Sequence, residues 1–151
     1  MPTNPVVTLQ EVTRENLKEI LDLKVTSEQE KFIADNAVSI AQAHFYPEAS
    51  WFRAIYAGET PVGFVLLDDD PVKSFYAIWR LMIDARFQRN GFGKCAFELV
   101  IEYVKMRPGA KVLLTSCVLG EGSPEEFYLK MGFIPTGEMD EDGEVIMQYK
   151  F

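Results

Sequence analysis

The segment Leu81-Met82-Ile83-Asp84-Ala85-Arg86-Phe87-Gln88-Arg89-Asn90-Gly91-Phe92-Gly93-Lys94 holds the residue types best suited to gripping an anion. An apolar run leads into a short polar loop, and the loop opens an amphipathic run. The start of a helix has unpaired N–H groups and the positive end of the dipole, so phosphate is its natural ligand. Gly91 and Gly93 let the backbone come close to an anion, and Arg89 and Lys94 add positive charge. The ordinary alternative is a glycine-bearing strand-to-helix turn with solvated basic residues. The segment is no dinucleotide fingerprint, because a third glycine is missing and it does not follow the chain's first strand. It is no Walker loop either, because Gly-Lys-Ser/Thr does not occur.

Few other residues offer chemistry. With His44 the only histidine, and Cys95 and Cys117 far apart, a Cys/His zinc site has too few ligands, and no metal is expected. Free thiols suit a reducing cytoplasm. Asp68-Asp69-Asp70 reads as a solvated turn, and Asp140-Glu141-Asp142 as a hairpin tip that could also edge a substrate cleft. The net charge of −8 argues against nucleic acid as a partner and permits a cationic substrate. The longest apolar stretch, Val62–Leu67, is far short of the ~20 residues of a membrane span. The sequence from Met1 has no basic-then-apolar pattern, so a cytoplasmic location is expected.

These residues must be positioned by one domain spanning 1–151, a length in the ordinary single-domain range, with 48% hydrophobic residues to fill a core. The pattern predicts a strand over Val6–Val12 and a helix over Arg14–Leu23 capped by Thr13. A helical region over Ser27–Phe45 follows, with a break near Ala34–Asn36 left open. Strands follow at Trp51–Ala57, Val62–Leu67 and Phe75–Ile83, the first two joined by Gly58-Glu59-Thr60-Pro61. Gly91–Met106 is the clearest helix and Lys111–Val118 a buried strand. Ser123, Pro124 and Glu126 predict a capping box for a helix that Gly132 closes. Phe133–Glu138 and Glu144–Phe151 form a closing hairpin around Asp142-Gly143. The order gives a mixed α/β sheet packed by helices.

Gln88-Arg89-Asn90-Gly91-Phe92-Gly93 resembles the Gln/Arg-x-x-Gly-x-Gly/Ala signature of the GNAT superfamily of acetyl-CoA-dependent N-acetyltransferases. Phe127-Tyr128-Leu129-Lys130-Met131-Gly132-Phe133 is similar to that superfamily's second signature, FY-x-x-x-GF. The element order agrees over essentially the whole chain. Several stretches, among them Phe32-Ile33-Ala34-Asp35-Asn36 and Trp79-Arg80-Leu81-Met82-Ile83-Asp84, look closer still to bacterial spermine/spermidine acetyltransferases.

The resemblance implies an α/β (α+β) GNAT fold: a mixed, mostly antiparallel sheet whose fourth and fifth strands splay apart, with about four helices. It implies acetyl-CoA as co-substrate. Leu81, Met82 and Ile83 would pair with the pantetheine arm. Arg89, Asn90, Gly91, Phe92, Gly93 and Lys94 would cradle the pyrophosphate. Tyr128 would be the acid that protonates the departing thiolate, and the Met82 or Ile83 N–H the oxyanion donor. The acceptor would be a primary amine, a polyamine foremost; another amine, or a sensor that binds acyl-CoA without turnover, stays open. A homodimer is compatible with the resemblance. Many members carry Asn seven residues before the tyrosine, where this chain has Glu121. The matching position for a known base holds Trp79. Glu28, Asp35 and Glu48 fall in the region bordering the acceptor, and an unbroken helix would put Glu28 and Asp35 on one face, where they could anchor an ammonium. Each taken singly reads equally well as a solvated charge.

Overall fold

The computed structural model describes residues 5–151. Seven strands make one sheet: β1 Val7–Gln10, β2 Ser50–Ala57, β3 Thr60–Asp70, β4 Phe75–Ile83, β5 Val112–Cys117, β6 Ile134–Met139 and β7 Val145–Lys150. Their order across the sheet is β1-β2-β3-β4-β5-β7-β6, and every adjacent pair is antiparallel except β4 and β5, which run parallel. Helices α1 Leu17–Asp22, α2 Asn36–Ala43, α3 Phe92–Lys105 and α4 Glu125–Met131 cover the sheet. The expected mixed, mostly antiparallel architecture is therefore the one observed.

The near-continuous apolar run of β3 follows from its position, because helices pack on both faces of the sheet. On one face, Val65 and Leu67 join Phe97, Val100 and Val104 of α3, Tyr128 of α4, and Phe133. On the other, Phe64, Leu66 and Met82 meet Ile20 of α1 and Ala43 of α2. No described helix is long and apolar enough to cross a membrane.

Three kinds of local expectation are corrected, helix bounds first. The helix expected over Ser27–Phe45 is only Asn36–Ala43, preceded by turns. Asp35 caps it by accepting the Val38 N–H at 2.9 Å, which a mid-helix residue does not do. Glu28 and Asp35 therefore share no helical face. The first helix is also shorter than expected, Leu17–Asp22 with Asn16 at its N-cap, although Thr13 Oγ1 accepts from the Asn16 N–H and Asn16 Oδ1 from the Thr13 N–H in the manner of a capping box.

The second correction is Asp68-Asp69-Asp70, which ends β3 instead of forming a turn. Buried Asp69 is bonded to Tyr103 and Arg107. The turn itself follows, with Asp70 Oδ1 accepting from the Val72 and Lys73 N–H groups. The third is the capping box of α4, which is half made. Ser123 Oγ accepts from the Glu125 N–H at 3.1 Å, but Glu126 pairs with Lys130 instead of reaching back.

Candidate active site

The site is created by a failure of pairing. β4 and β5 pair only at Ala77↔Leu114 and Ile78↔Thr115, so Trp79–Ile83 leave β5 behind and a wedge opens between the strands. A register shift starts the wedge: Leu66 faces Arg80 and Leu67 faces Ile78, so Trp79 is the extra residue of a bulge, which bends its strand. Asp84 returns to β3 through its N–H on Val62 O, whereas the Ile83 carbonyl takes the Gln88 side-chain amide at 2.8 Å. Alternation along the strand then turns the N–H and C=O of Leu81 and Ile83 toward the wedge and those of Met82 toward β3. An unpaired strand edge is a template for another extended chain of amides.

The wedge widens into a cleft of about 1540 Å³, larger than the ~300–1,000 Å³ typical of compact ligands. At one end stands the start of α3. Its first intrahelical bond runs from Cys95 N to Gly91 O, so the N–H groups of Phe92, Gly93 and Lys94 have no helical partner. Gly91 caps the helix at φ +80°, with open space where a Cβ would stand. Leu81, Met82, Ile83, Arg89, Gly91, Phe92, Gly93 and Lys94 all line this cleft. Asn90 does not; its side-chain amide donates to Phe87 O and Gln88 O and shapes the loop.

Tyr128 lines the same cleft from α4 and is 4% exposed. Burial pushes its phenol up to about 12; a hydrogen bond with Thr115 and the charge of Arg80 act the other way, while Cys117 adds to the rise. Around Trp79 the cleft becomes ionic. Arg80 donates to Trp79 O at 3.0 Å and to Gln42 Oε1 at 3.3 Å, and its Nε is buried without a partner. Burial lowers the Arg80 guanidinium; Glu144, Asp68 and Tyr128 offset this. Burial raises Glu144 as well, reinforced by Asp140 and Asp142. Asp140, Asp142 and Glu144 bring carboxylate oxygens within 4.8 Å of one another at the tip between β6 and β7. Asp140 Oδ1 is committed there to the N–H groups of Asp142 and Glu144, the bonding of a tight turn.

Glu28, Asp35 and Glu48, the acidic residues expected at the acceptor, are exposed and do not line the cleft. Glu121 is also exposed and outside it. The turn holding Glu28 instead packs on the loop after β5, where a Cβ at Gly122 would lie 3.3 Å from Glu28 O. Of the carboxylates that do line the wall near Trp79, Asp68 lay in a segment read as a turn and Glu144 at the start of the closing strand. Strand matching was the available signal: the nine residues Phe75–Ile83 need an antiparallel partner running past Leu67.

The sequence matches the family model described as "Acetyltransferase (GNAT) family" over residues 14–133. It is 27% identical over 146 residues to a spermine/spermidine N(1)-acetyltransferase of Bacillus subtilis, covering 93% of this chain and 96% of that one. Among solved structures it resembles the PaiA N-acetyltransferase of Thermoplasma acidophilum in complex with coenzyme A. That likeness has a TM-score of 0.70 at 15% identity and covers 97% of this chain and 99% of that one. It also resembles the spermidine N-acetyltransferase of Vibrio cholerae in complex with CoA and spermine, with a TM-score of 0.68 at 15% identity, covering 94% and 92%. The chain belongs to the acetyltransferase (GNAT) family.

Proposed function

We propose that this chain is a single-domain cytoplasmic N-acetyltransferase that moves acetyl from acetyl-CoA to a primary amine of a polyamine, by direct attack while both substrates are bound. One observation carries the reading: a single cleft joins an unpaired strand edge, a helix N-terminus with free amides, and a buried tyrosine. The free amides of Phe92, Gly93 and Lys94, with Arg89, suit a pyrophosphate. The open edge at Leu81 and at the Ile83 N–H, flanked by Met82, suits the amide groups of pantetheine. Tyr128, raised by burial, keeps its proton at neutral pH and can give it to a thiolate, itself disfavoured in so dry a place.

The polyamine is favoured by the charge at the far end of the cleft, where Asp68, Asp140, Asp142 and Glu144 outnumber Arg80, and by the names of the relatives. The two cysteines are free, as a reducing compartment requires. The test is CoA-thiol release from acetyl-CoA with spermine, spermidine and a panel of unrelated amines. Saturable turnover strongest with the polyamines is expected. Binding of acetyl-CoA with no turnover of any amine would favour a sensor.

A second reading has its own observation. The buried, unpartnered Nε of Arg80 is a donor suited to a carboxylate, which an amino-acid acceptor would bring. Including amino acids in the panel separates the two.

A further inference from the structure

We propose that Asp68 takes the proton from the acceptor ammonium before acetyl transfer, an assignment that rests on reading the chain as an amine acetyltransferase. Asp68 stands opposite Ala77 on β4, and Ala77 belongs to the two-residue stretch that pairs with β5 before the strands part. It is thus one strand away from the apex of the wedge. Side chains alternate along β3, so Asp68 leaves the sheet on the face opposite Asp69, away from α3. Asp68, Trp79, Arg80 and Tyr128 line one cleft.

A carboxylate half withdrawn from water ordinarily finds a donor. Among the described residues, Asp68 has no hydrogen-bond donor and no ion-pair partner within 4.0 Å. Arg80, which attracts it, directs its guanidinium to Trp79 O and Gln42. A cationic acceptor would supply the missing partner. Burial lifts Asp68 to about 6, against Arg80 and with help from Asp70. A base poised there is ionised at neutral pH and still able to hold a proton. Of the other charges nearby, Glu144 acts on Arg80 as Asp68 does, and Asp140 and Asp142 act on Glu144; Arg80 and Asp70 are the charges that act on Asp68 itself.

The step balances. R–NH3⁺ gives one proton to the Asp68 carboxylate, and the freed lone pair forms the N–C bond to the thioester carbonyl. The C–S bond breaks, and sulfur leaves with the electron pair. Tyr128 protonates the sulfur, and the proton then lost by the amide nitrogen restores Tyr128. Asp68 releases its proton to solvent, so the products are the amide, CoA–SH and one H⁺.

The test is Asp68→Asn, assayed for CoA-thiol release with saturating spermidine from mildly acidic conditions to about pH 10, beside acetyl-CoA binding by calorimetry. The expected result is kcat lower by about 10²-fold or more at neutrality, with acetyl-CoA affinity kept. The defect should shrink toward high pH, where more of the amine is already neutral. A raised KM at unchanged kcat would make Asp68 an anchor and overturn the proposal, as would a wild-type pH profile. The same loss in Glu144→Gln with Asp68→Asn active would overturn it too. If Asp68→Asn fails to bind acetyl-CoA, Asp68→Glu serves instead: reduced kcat with a displaced acidic limb supports the role, and an unchanged profile overturns it. Wild-type protein that binds acetyl-CoA yet acetylates no amine removes the acetyltransferase reading itself, whereas active wild type with active Asp68→Asn removes Asp68 alone.

Discussion

Arg107 Nε donates to Asp69 Oδ1 at 2.9 Å, and the Tyr103 hydroxyl donates to the other oxygen of that carboxylate. The end of β3 is thereby fastened to the last turn of α3 by Tyr103 and to the residue just past its C-cap by Arg107, on the face opposite Asp68. Asp69 is 6% exposed, so truncating it leaves a cation and a phenol without their acceptor. Asp69→Ala should cost about 3 kcal/mol, the low end for a broken buried pair because Arg107 still touches water. Denaturant unfolding measures this; a loss within the scatter of surface substitutions would mean the bond is ornamental.

Tyr103 makes the same junction sensitive to alkali. Burial first, and the Asp69 hydrogen bond second, push its phenol up to about 12. Folded protein therefore holds a proton that the unfolded chain releases near pH 10, so this stabilisation is whole below pH ~10 and is lost as pH rises toward 12. Tyr103→Phe should be less stable than wild type at neutral pH, and the gap should narrow above pH ~10. Unfolding midpoints of both proteins across that window provide the check, and parallel curves would refute the assignment.

Gly63 controls how closely β3 approaches the open strand. A Cβ there would fall 2.3 Å from the Met82 carbonyl oxygen and 2.8 Å from Ile83 Cδ1. Since backbone is in the way, β4 itself must move. Gly63→Ala should cost ~1–3 kcal/mol of stability, typical of overpacking, and should weaken acetyl-CoA binding because Leu81 and Ile83 shift with the strand. Calorimetric titration beside thermal unfolding tests both halves; an unchanged affinity would mean that the edge is not used.

Much of this was legible in the residues. The turn pair Asp142-Gly143, the run Val62–Leu67 and the spacing in Gly91–Met106 mark their elements because local chemistry and burial agree there. The loop from Arg89 to Lys94 was legible as a glycine-bearing turn that opens a helix for the same reason. What escaped notice depends on long-range pairing. Nothing local says that Asp69 will meet Arg107, 38 residues away. Three consecutive aspartates look like a turn until the Arg107 guanidinium and the Tyr103 phenol hold the middle one, and the end of β3 with it, against α3. Asp35 looked like a helix-face charge because its capping role depends on the chain reversing just before it. Glu28, Asp35 and Glu48, expected beside the acceptor, are accordingly exposed and outside the cleft.

Tyr128 supplies the sharpest functional prediction. Its ring is packed edge-on against Phe127 and Phe133, so Tyr128→Phe keeps the packing and removes only the hydroxyl. Acetyl-CoA binding should persist while kcat falls by about 10²-fold, in the range general acids contribute. Burial holds the phenol at about 12, so its ionisation cannot cause any loss of activity between neutrality and pH ~10. Wild-type kcat should accordingly show no downward limb from Tyr128 in that interval, and steady-state rates against pH for both proteins will reveal it. An unchanged kcat in Tyr128→Phe would remove the hydroxyl from the reaction and leave the thiolate to be protonated by water.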